Sequence, residues 1–332
     1  MAVRRVVFAA AWALALLGAS ECASPAEVSA SAARLMVPAV GASPADTLAA
    51  IYLVTRPGKA EAEQTACAIR RLGRFLRGTP LQVYVFVGPN ATIPKTDALV
   101  LPVPPESWTV PDYVRQDAHP EYAPREYRIM GWWRLTFQME FAAAMGHDYV
   151  LQTDGDLFLT RPVVRGDLVA QLRSANASMA NYCDTCSRDV PSVFRGLPEF
   201  SAWFLATRGV TPVGPVYQHT RPRDARGLYV SASAVMGGPR PREGFDLETL
   251  AGHFMILSLR LWATPIVADY VAAALRTGSV YEERWNEQAL QTWVRFLFVP
   301  ADGLMVVGAD AVVHRPNASL SAECKPGGVF AS

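Results

Sequence analysis

Two aspartates, Asp154 and Asp156, sit two residues apart in the run "DYVLQTDGDLFLT", Asp148 to Thr160. Tyr149, Val150 and Leu151 suit a central strand, and so does the "LFL" that follows. A carboxylate beside such a strand is costly unless something pairs with it. Two like charges side by side are worse, and a divalent cation is the usual remedy. On a strand, residues i and i+2 share a face, so the two carboxylates converge. Gly155 leaves room between them and lets the backbone approach a ligand closely. Hard oxygen donors of this kind suit Mn²⁺ or Mg²⁺, ions that typically bridge a diphosphate. The competing expectation is a solvated turn carrying two surface aspartates.

A third ligand is sought among five histidines: His119, His147, His219, His253 and His314. His314 follows "DAVV" in "VVHRPN", at the end of a late strand able to reach the same rim. The other polar constellation is "YEERWNEQALQ", Tyr281 to Gln291. Trp285 is placed to stack on a sugar ring. Glu287 is placed to accept a hydrogen bond from acceptor hydroxyls or to act as a base. The plainer expectation makes Asn286 a helix N-cap with Glu287 in the first turn, and the two are compatible.

The elements around these residues alternate. "TLAAIYLVTR" (47–56), "LQVYVFVG" (81–88) and "ALVLPVP" (98–104) are expected strands, and "KAEAEQTACAIRRLGRFLRG" (59–78) has helical periodicity with a glycine stop. "REYRIMGWWRLTFQMEFAAAMG" (125–146) is expected as one long helix leading into "DYVLQTDGD". Such alternation predicts an α/β fold, a mostly parallel central sheet with helices on both faces. Ligands of such sheets sit outside the carboxyl ends of the strands, where Asp154-Gly155-Asp156 lies. The proline-rich stretch 102–124 and residues 184–228 are expected as loops. "LMVVGADAVVHRPN" is expected as one late strand running into a loop. No linker separates the two halves, so residues 47–325 are expected as a single domain.

The chain has 332 residues, 51% hydrophobic and 18% charged, with a formal net charge of +1. This is a globular composition with no field drawing it to nucleic acid or acidic membranes. "MAVRR" followed by "VVFAAAWALALLGA" has the layout of a signal peptide or signal-anchor over residues 1–23, and 24–46 of a stem. The apolar run is short for a bilayer span of about 20 residues. Three sequons, at Asn90, Asn176 and Asn317, suit a secretory route. Cys67, Cys183, Cys186 and Cys324 are then expected to form at least one disulfide in an oxidising lumen.

D-x-D closing an apolar strand is the arrangement of nucleotide-sugar glycosyltransferases, whose metal acts as a Lewis acid on the departing nucleoside diphosphate. More specifically, "YRIMGWW" (127–133), "DYVLQTDGDLF" and "VYEERWNEQALQTW" (280–293) resemble glycosyltransferase family 15, the fungal-type α-1,2-mannosyltransferases. The resemblance spans about residues 123–300. It implies a GT-A fold and a Mn²⁺-dependent retaining transfer with GDP-mannose as donor; with the N-terminal segment and sequons, the expected acceptor is a glycan or glycoprotein in the ER or Golgi lumen. The family's Glu-Pro-Asp falls on Asp154-Gly155-Asp156, and the Asp of its late block falls on Glu287. Its metal-associated His falls on Gln291, and the Glu proposed as its nucleophile falls on Met255 in "HFMI". His314 is then the expected replacement ligand. Tyr127, Arg128, Trp285, Gln291 and His253 are the expected substrate-binding residues. A UDP-sugar enzyme of another GT-A family and a non-catalytic secreted carbohydrate-binding protein are the competing expectations.

Overall fold

Strand β1 (Leu48–Val54) is nearly devoid of polar side chains, and Leu48, Ala49, Ala50 and Val54 are fully buried. A strand covered on both faces has this composition. The computed structural model describes residues 43–114, 125–184, 187–189, 191–221, 244–245 and 247–314. Strands and helices are numbered here along the chain. β1 pairs in parallel with β2 (Leu81–Val87) and with β4 (Tyr149–Thr153), and β2 pairs in parallel with β3 (Leu99–Pro102). The order is therefore β3-β2-β1-β4, a mixed α/β arrangement.

The described chain divides into two compact units. Among the described residues, the first lies within 1–108, 137–173 and 308–332, and the second within 109–136 and 174–307. Because each is assembled from separate segments, no linker marks a boundary in the sequence.

Beside the parallel strands, the first unit contains helices α1 (Lys59–Phe75) and α3 (Phe137–Ala144), with α4 (Leu168–Ser174) at its limit. α1 buries Ala62, Ala66, Cys67, Ile69 and Leu72, a stripe of helical spacing. The short strand β5 (Leu157–Leu159) pairs antiparallel with the last strand, β13 (Val312–His314).

In the second unit, β6 (Met179–Asn181) lies between β12 (Leu304–Val306), parallel to it, and β11 (Phe254–Ser258), antiparallel to it. Two short pairs join β7 (Ser187–Arg188) to β10 (Glu248–Thr249) and β8 (Thr220–Arg221) to β9 (Gly244–Phe245). Its helices are α2 (Arg125–Leu135), α5 (Leu197–Arg208), α6 (Val216–His219), α7 (Leu259–Trp262), α8 (Pro265–Arg276), α9 (Ser279–Glu282) and α10 (Glu287–Phe298).

Several expectations need correction. The single helix 125–146 is two, α2 and α3, broken at Thr136. Thr136 Oγ1 donates back to the Trp132 carbonyl (2.9 Å), and the Trp262 indole N–H takes the Leu135 carbonyl (3.3 Å). Extra donors on ladder carbonyls bend or end a helix, although the Thr136 N–H keeps its own bond to the Trp132 carbonyl (3.1 Å). Residues 184–228 are not all loop, since α5 occupies Leu197–Arg208, with Pro198 at its start and Gly209 in left-handed conformation as its C-cap. The late strand is two, β12 and β13, one in each unit.

Cys67 and Cys183 are each disulfide-bonded, in line with an oxidising lumen. Cys22, Cys186, Cys324, Asn317, His119 and the N-terminal segment 1–23 lie outside the described residues. Among the described residues no helix is long and apolar enough to cross a membrane.

Candidate functional site

β4 ends at Thr153, and the chain turns at once. The Leu157 N–H donates to the Asp154 carbonyl (3.1 Å), closing a four-residue turn that leads into β5. Asp154 and Asp156 are therefore not strand neighbours sharing a face. They converge because a tight turn folds them together. Gly155 also has a packing role that its sequence context does not reveal. A Cβ there would strike the Thr65 Oγ1 and would lie 3.3 Å from Thr65 Cβ and 3.5 Å from its Cα. Helix α1 approaches the glycine on the side where a Cβ would stand.

The same helix holds β5. Arg71, buried to 3% exposure, donates from Nη1 to the Leu159 carbonyl (3.0 Å), and its guanidinium lies 5.3 Å from the Phe158 ring centroid. β5 in turn sets β13 in register, with His314 opposite Leu157. Thr160 adds a backbone bond to the Ala311 carbonyl (2.8 Å) and a side-chain bond to the same oxygen (3.1 Å).

The outcome is a cluster of Asp154, Asp156 and His314, with one ligand atom from each all lying within 4.8 Å of one another. His314 Nε2 is 3.5 Å from Asp156 Oδ1. The two aspartates are half-buried and the histidine is exposed, so the site opens to solvent. Two carboxylates and one imidazole suit Mn²⁺ or Mg²⁺ and leave room for ligand oxygens. Neighbouring groups register the negative charge. Burial chiefly pushes the Glu61 carboxyl up, the Arg56 contacts oppose this, and the Asp156 charge adds to it. Burial likewise raises the Tyr52 phenol, with a smaller push from Asp154.

The other described histidines are engaged elsewhere. His147 is buried between the Tyr84 hydroxyl (2.8 Å from Nε2) and the Thr47 carbonyl (3.1 Å from Nδ1), and burial holds its imidazole below the usual range. His219 stacks on Phe296, with centroids 4.1 Å apart. His253 Nε2 meets the Tyr182 hydroxyl at 2.9 Å, beside the start of β11.

The remaining sequence-predicted residues lie in the second unit. Asn286 caps α10, its Oδ1 accepting from the Ala289 N–H (2.7 Å), and Glu287 stands in the first turn. Glu287 is also buried, and its Oε1 accepts from Arg134 Nη1 of α2 at 2.9 Å, with both side chains nearly inaccessible. Its Oε2 is buried with no hydrogen-bond partner. Position 131, one turn before Arg134, packs closely there, since a Cβ would lie 3.2 Å from that Oε2, a tight contact. Neither Arg134 nor Gly131 stood out as a site residue, although a glycine inside a helical pattern signals close packing.

Arg128 Nη1 donates to the Tyr281 carbonyl, tying α2 to α9, and the Tyr127 ring lies beneath the Arg284 guanidinium (5.6 Å). Two further sequence-predicted residues are buried, as Glu287 is. Trp285 is 3% exposed, packs on Phe200 (centroids 5.4 Å) and spends its indole N–H on the Arg195 carbonyl (2.7 Å). It is a core residue and offers no face to a sugar here. Gln291 is fully buried within α10, so it too is no surface contact. Met255, at the place of the family's proposed nucleophile, is buried in β11, with its sulfur 3.5 Å from Asn181 Nδ2.

The packing at Gly155 gives a direct test. Gly155→Ala should cost about 1–3 kcal/mol, the usual penalty for overpacking, and displace the turn. Thr65→Ala removes a buried hydroxyl that has no hydrogen-bond partner, and should recover much of that loss in the double variant. Urea midpoints of the four proteins in the cycle measure it; additive losses would show that the helix does not set the turn.

No family profile and no curated protein sequence matches the chain. Solved structures do. Core-mannan synthase A from Aspergillus fumigatus, in a Mn/GDP form, is 16% identical over 89% of this chain and 85% of that one, with a TM-score of 0.63. The mannosyltransferase Ktr4p from S. cerevisiae, in complex with GDP, is 15% identical over 94% of this chain and 86% of that one, with a TM-score of 0.65. At such identities the likeness establishes the fold, which is the GT-A fold of these fungal family 15 mannosyltransferases.

Proposed function

We propose that this protein is a metal-dependent glycosyltransferase moving a hexose from a nucleotide sugar, mannose from GDP-mannose, to a glycan or glycoprotein acceptor in the secretory pathway. The observation carrying this reading is the Asp154–Asp156–His314 cluster at the carboxyl end of β4. The fold shared with two fungal mannosyltransferases, both solved with GDP and one with Mn, supports the choice of donor. The two carboxylates and His314 would hold Mn²⁺ or Mg²⁺. The ion, when bound, supplies Lewis-acid neutralisation of the departing nucleoside diphosphate.

The chain's own residues do the rest. α1 holds the D-x-D turn in shape through Thr65 and anchors β5 through Arg71, which leaves the ligand set preorganised. Glu287 is assigned to the acceptor hydroxyl, with Oε1 fixed by Arg134 and Oε2 as the accepting atom. Because Oε2 is buried, that contact requires the junction of α2 with the start of α10 to open. Tyr127, Arg128 and His253 are assigned to substrate binding on the same unit. A methionine cannot form a glycosyl-enzyme ester, so retaining transfer by this chain proceeds without a carboxylate at position 255.

A donor screen scoring nucleoside diphosphate release tests the proposal. GDP-mannose with Mn²⁺ should give release that EDTA abolishes. Preference for a UDP-sugar would reassign the donor, and absence of release with every donor would sink the enzyme reading.

Residues 1–23 are proposed to direct the chain to the lumen, as a cleaved signal or a type II anchor. Asn90 and Asn176 are both exposed, and Asn176 sits in the left-handed region (φ 50°) that asparagine tolerates. Protein from a eukaryotic secretory host should lose mass on N-glycosidase treatment, and lose less when Asn90→Gln and Asn176→Gln are introduced. An unchanged mass in the wild type would refute secretory passage.

A further inference from the structure

Arg284 holds a backbone conformation that arginine seldom adopts. Its φ is +61°, in the left-handed region where a Cβ is unfavourable. The flanking residues are anchored on both sides. On one side, the Tyr281 N–H donates to the Gly278 carbonyl (2.9 Å) and the Tyr281 hydroxyl to the Thr109 carbonyl (3.3 Å). On the other, the Trp285 N–H donates to the Ser279 carbonyl (3.0 Å), its indole to the Arg195 carbonyl, and Asn286 caps α10. A glycine at 284 would take this conformation without strain. Strain held in place by its surroundings is a pointer to function.

The side chain is placed as unusually as the backbone. The guanidinium lies over the Tyr127 ring, 5.6 Å from its centroid, within reach of a cation–π contact. Its Nε is buried and has no hydrogen-bond partner. Among the described residues no carboxylate forms an ion pair with it; the adjacent Glu283 is directed to Arg195 at 3.5 Å. Arginine is charged at every physiological pH, and its planar fork matches the oxygens of a phosphate. A cation that is half-buried, lies over an aromatic ring, has no ion pair among the described residues and sits on strained backbone is a candidate site for an anion.

We propose that Arg284 is a binding residue for a phosphate group. The choice of phosphate over other oxyanions rests on the nucleotide-sugar reading above. The placement of the guanidinium does not. The phosphate can come from a nucleoside diphosphate or from a phosphorylated acceptor sugar, and the two are separable.

The experiment is thermal unfolding of the full chain with inorganic pyrophosphate in EDTA, comparing wild type with Arg284→Gly, Arg284→Gln and Arg284→Lys. Pyrophosphate should stabilise the wild type. Arg284→Gly and Arg284→Gln should need at least about tenfold more pyrophosphate for the same shift, as loss of a charge-assisted pair implies. Arg284→Lys should fall between. Without ligand, Arg284→Gly should melt at or above the wild-type temperature, because the strain is gone. Equal pyrophosphate shifts in wild type and Arg284→Gly, no shift in wild type, or a lowered melting temperature for ligand-free Arg284→Gly would each overturn the proposal. In parallel arms, GDP and a hexose 6-phosphate identify the source by which of them is sensitive to residue 284. If GDP with Mn²⁺ neither binds nor supports transfer while the pyrophosphate difference persists, the donor reading fails and the Arg284 site stands.

Discussion

Asp156→Asn should abolish turnover while leaving the protein folded. The substitution keeps the shape of the side chain and removes its charge, and Asp156 lies in the four-residue turn next to His314 at 3.5 Å. Losing one of two carboxylates from a divalent-ion site removes several kcal/mol of charge stabilisation, so the rate should fall on the order of a thousandfold or more. GDP should still bind weakly, but Mn²⁺ should no longer raise its affinity. Asp156→Ala should match it, and His314→Ala should give a smaller loss, since the two carboxylates remain. Circular dichroism and a thermal scan of the metal-free proteins control for folding. Near-normal, metal-stimulated transfer by Asp156→Asn would reduce the two aspartates to a solvated turn.

The second large effect is on stability. Arg134→Met should destabilise the protein by about 3–5 kcal/mol, because it strands the Glu287 carboxylate in the core without its partner. Adding Glu287→Leu should restore most of that loss, since a buried ion pair is often replaceable by well-packed apolar side chains. Urea denaturation midpoints measure both steps. Activity separates structure from chemistry: the double variant should be folded and inactive if Glu287 serves the acceptor, and folded and active if the pair is only a brace. Glu287→Gln should lower kcat while leaving GDP binding intact. A Glu287→Gln enzyme with wild-type kcat would remove Glu287 from the acceptor side.

The alternation of strands and helices was legible because it rests on local patterns. β1, β2 and β3 lie within the apolar runs that predicted them, and the bounds differ by a few residues. The D-x-D pair and the late histidine were legible as residue types. Their geometry was not. A strand and a turn both bring residues i and i+2 together, and only the Leu157–Asp154 hydrogen bond decides between them. The break at Thr136 was hidden because the Trp262 indole that captures the Leu135 carbonyl lies far along the chain. Trp285 illustrates the same limit. An aromatic beside polar residues suits either a sugar platform or a core, and the packing on Phe200 and the bond to the Arg195 carbonyl could not be read from the sequence. Gly131 and Arg134 looked like helix filler because their partner, Glu287, is remote in sequence.

The antiparallel pairing of β5 with β13 also governs the timing of biogenesis. A nascent chain emerges in order, so Asp154 and Asp156 are exposed long before His314 is made. Until β13 arrives, β5 lacks its strand partner and the two carboxylates lack the imidazole. The first unit is thus finished only after every segment of the second has been synthesised. The candidate metal site is among the last features to mature, and a chain halted before residue 308 carries the aspartates but not His314. Tight uptake of the ion would then report that translation had run to the end of β13.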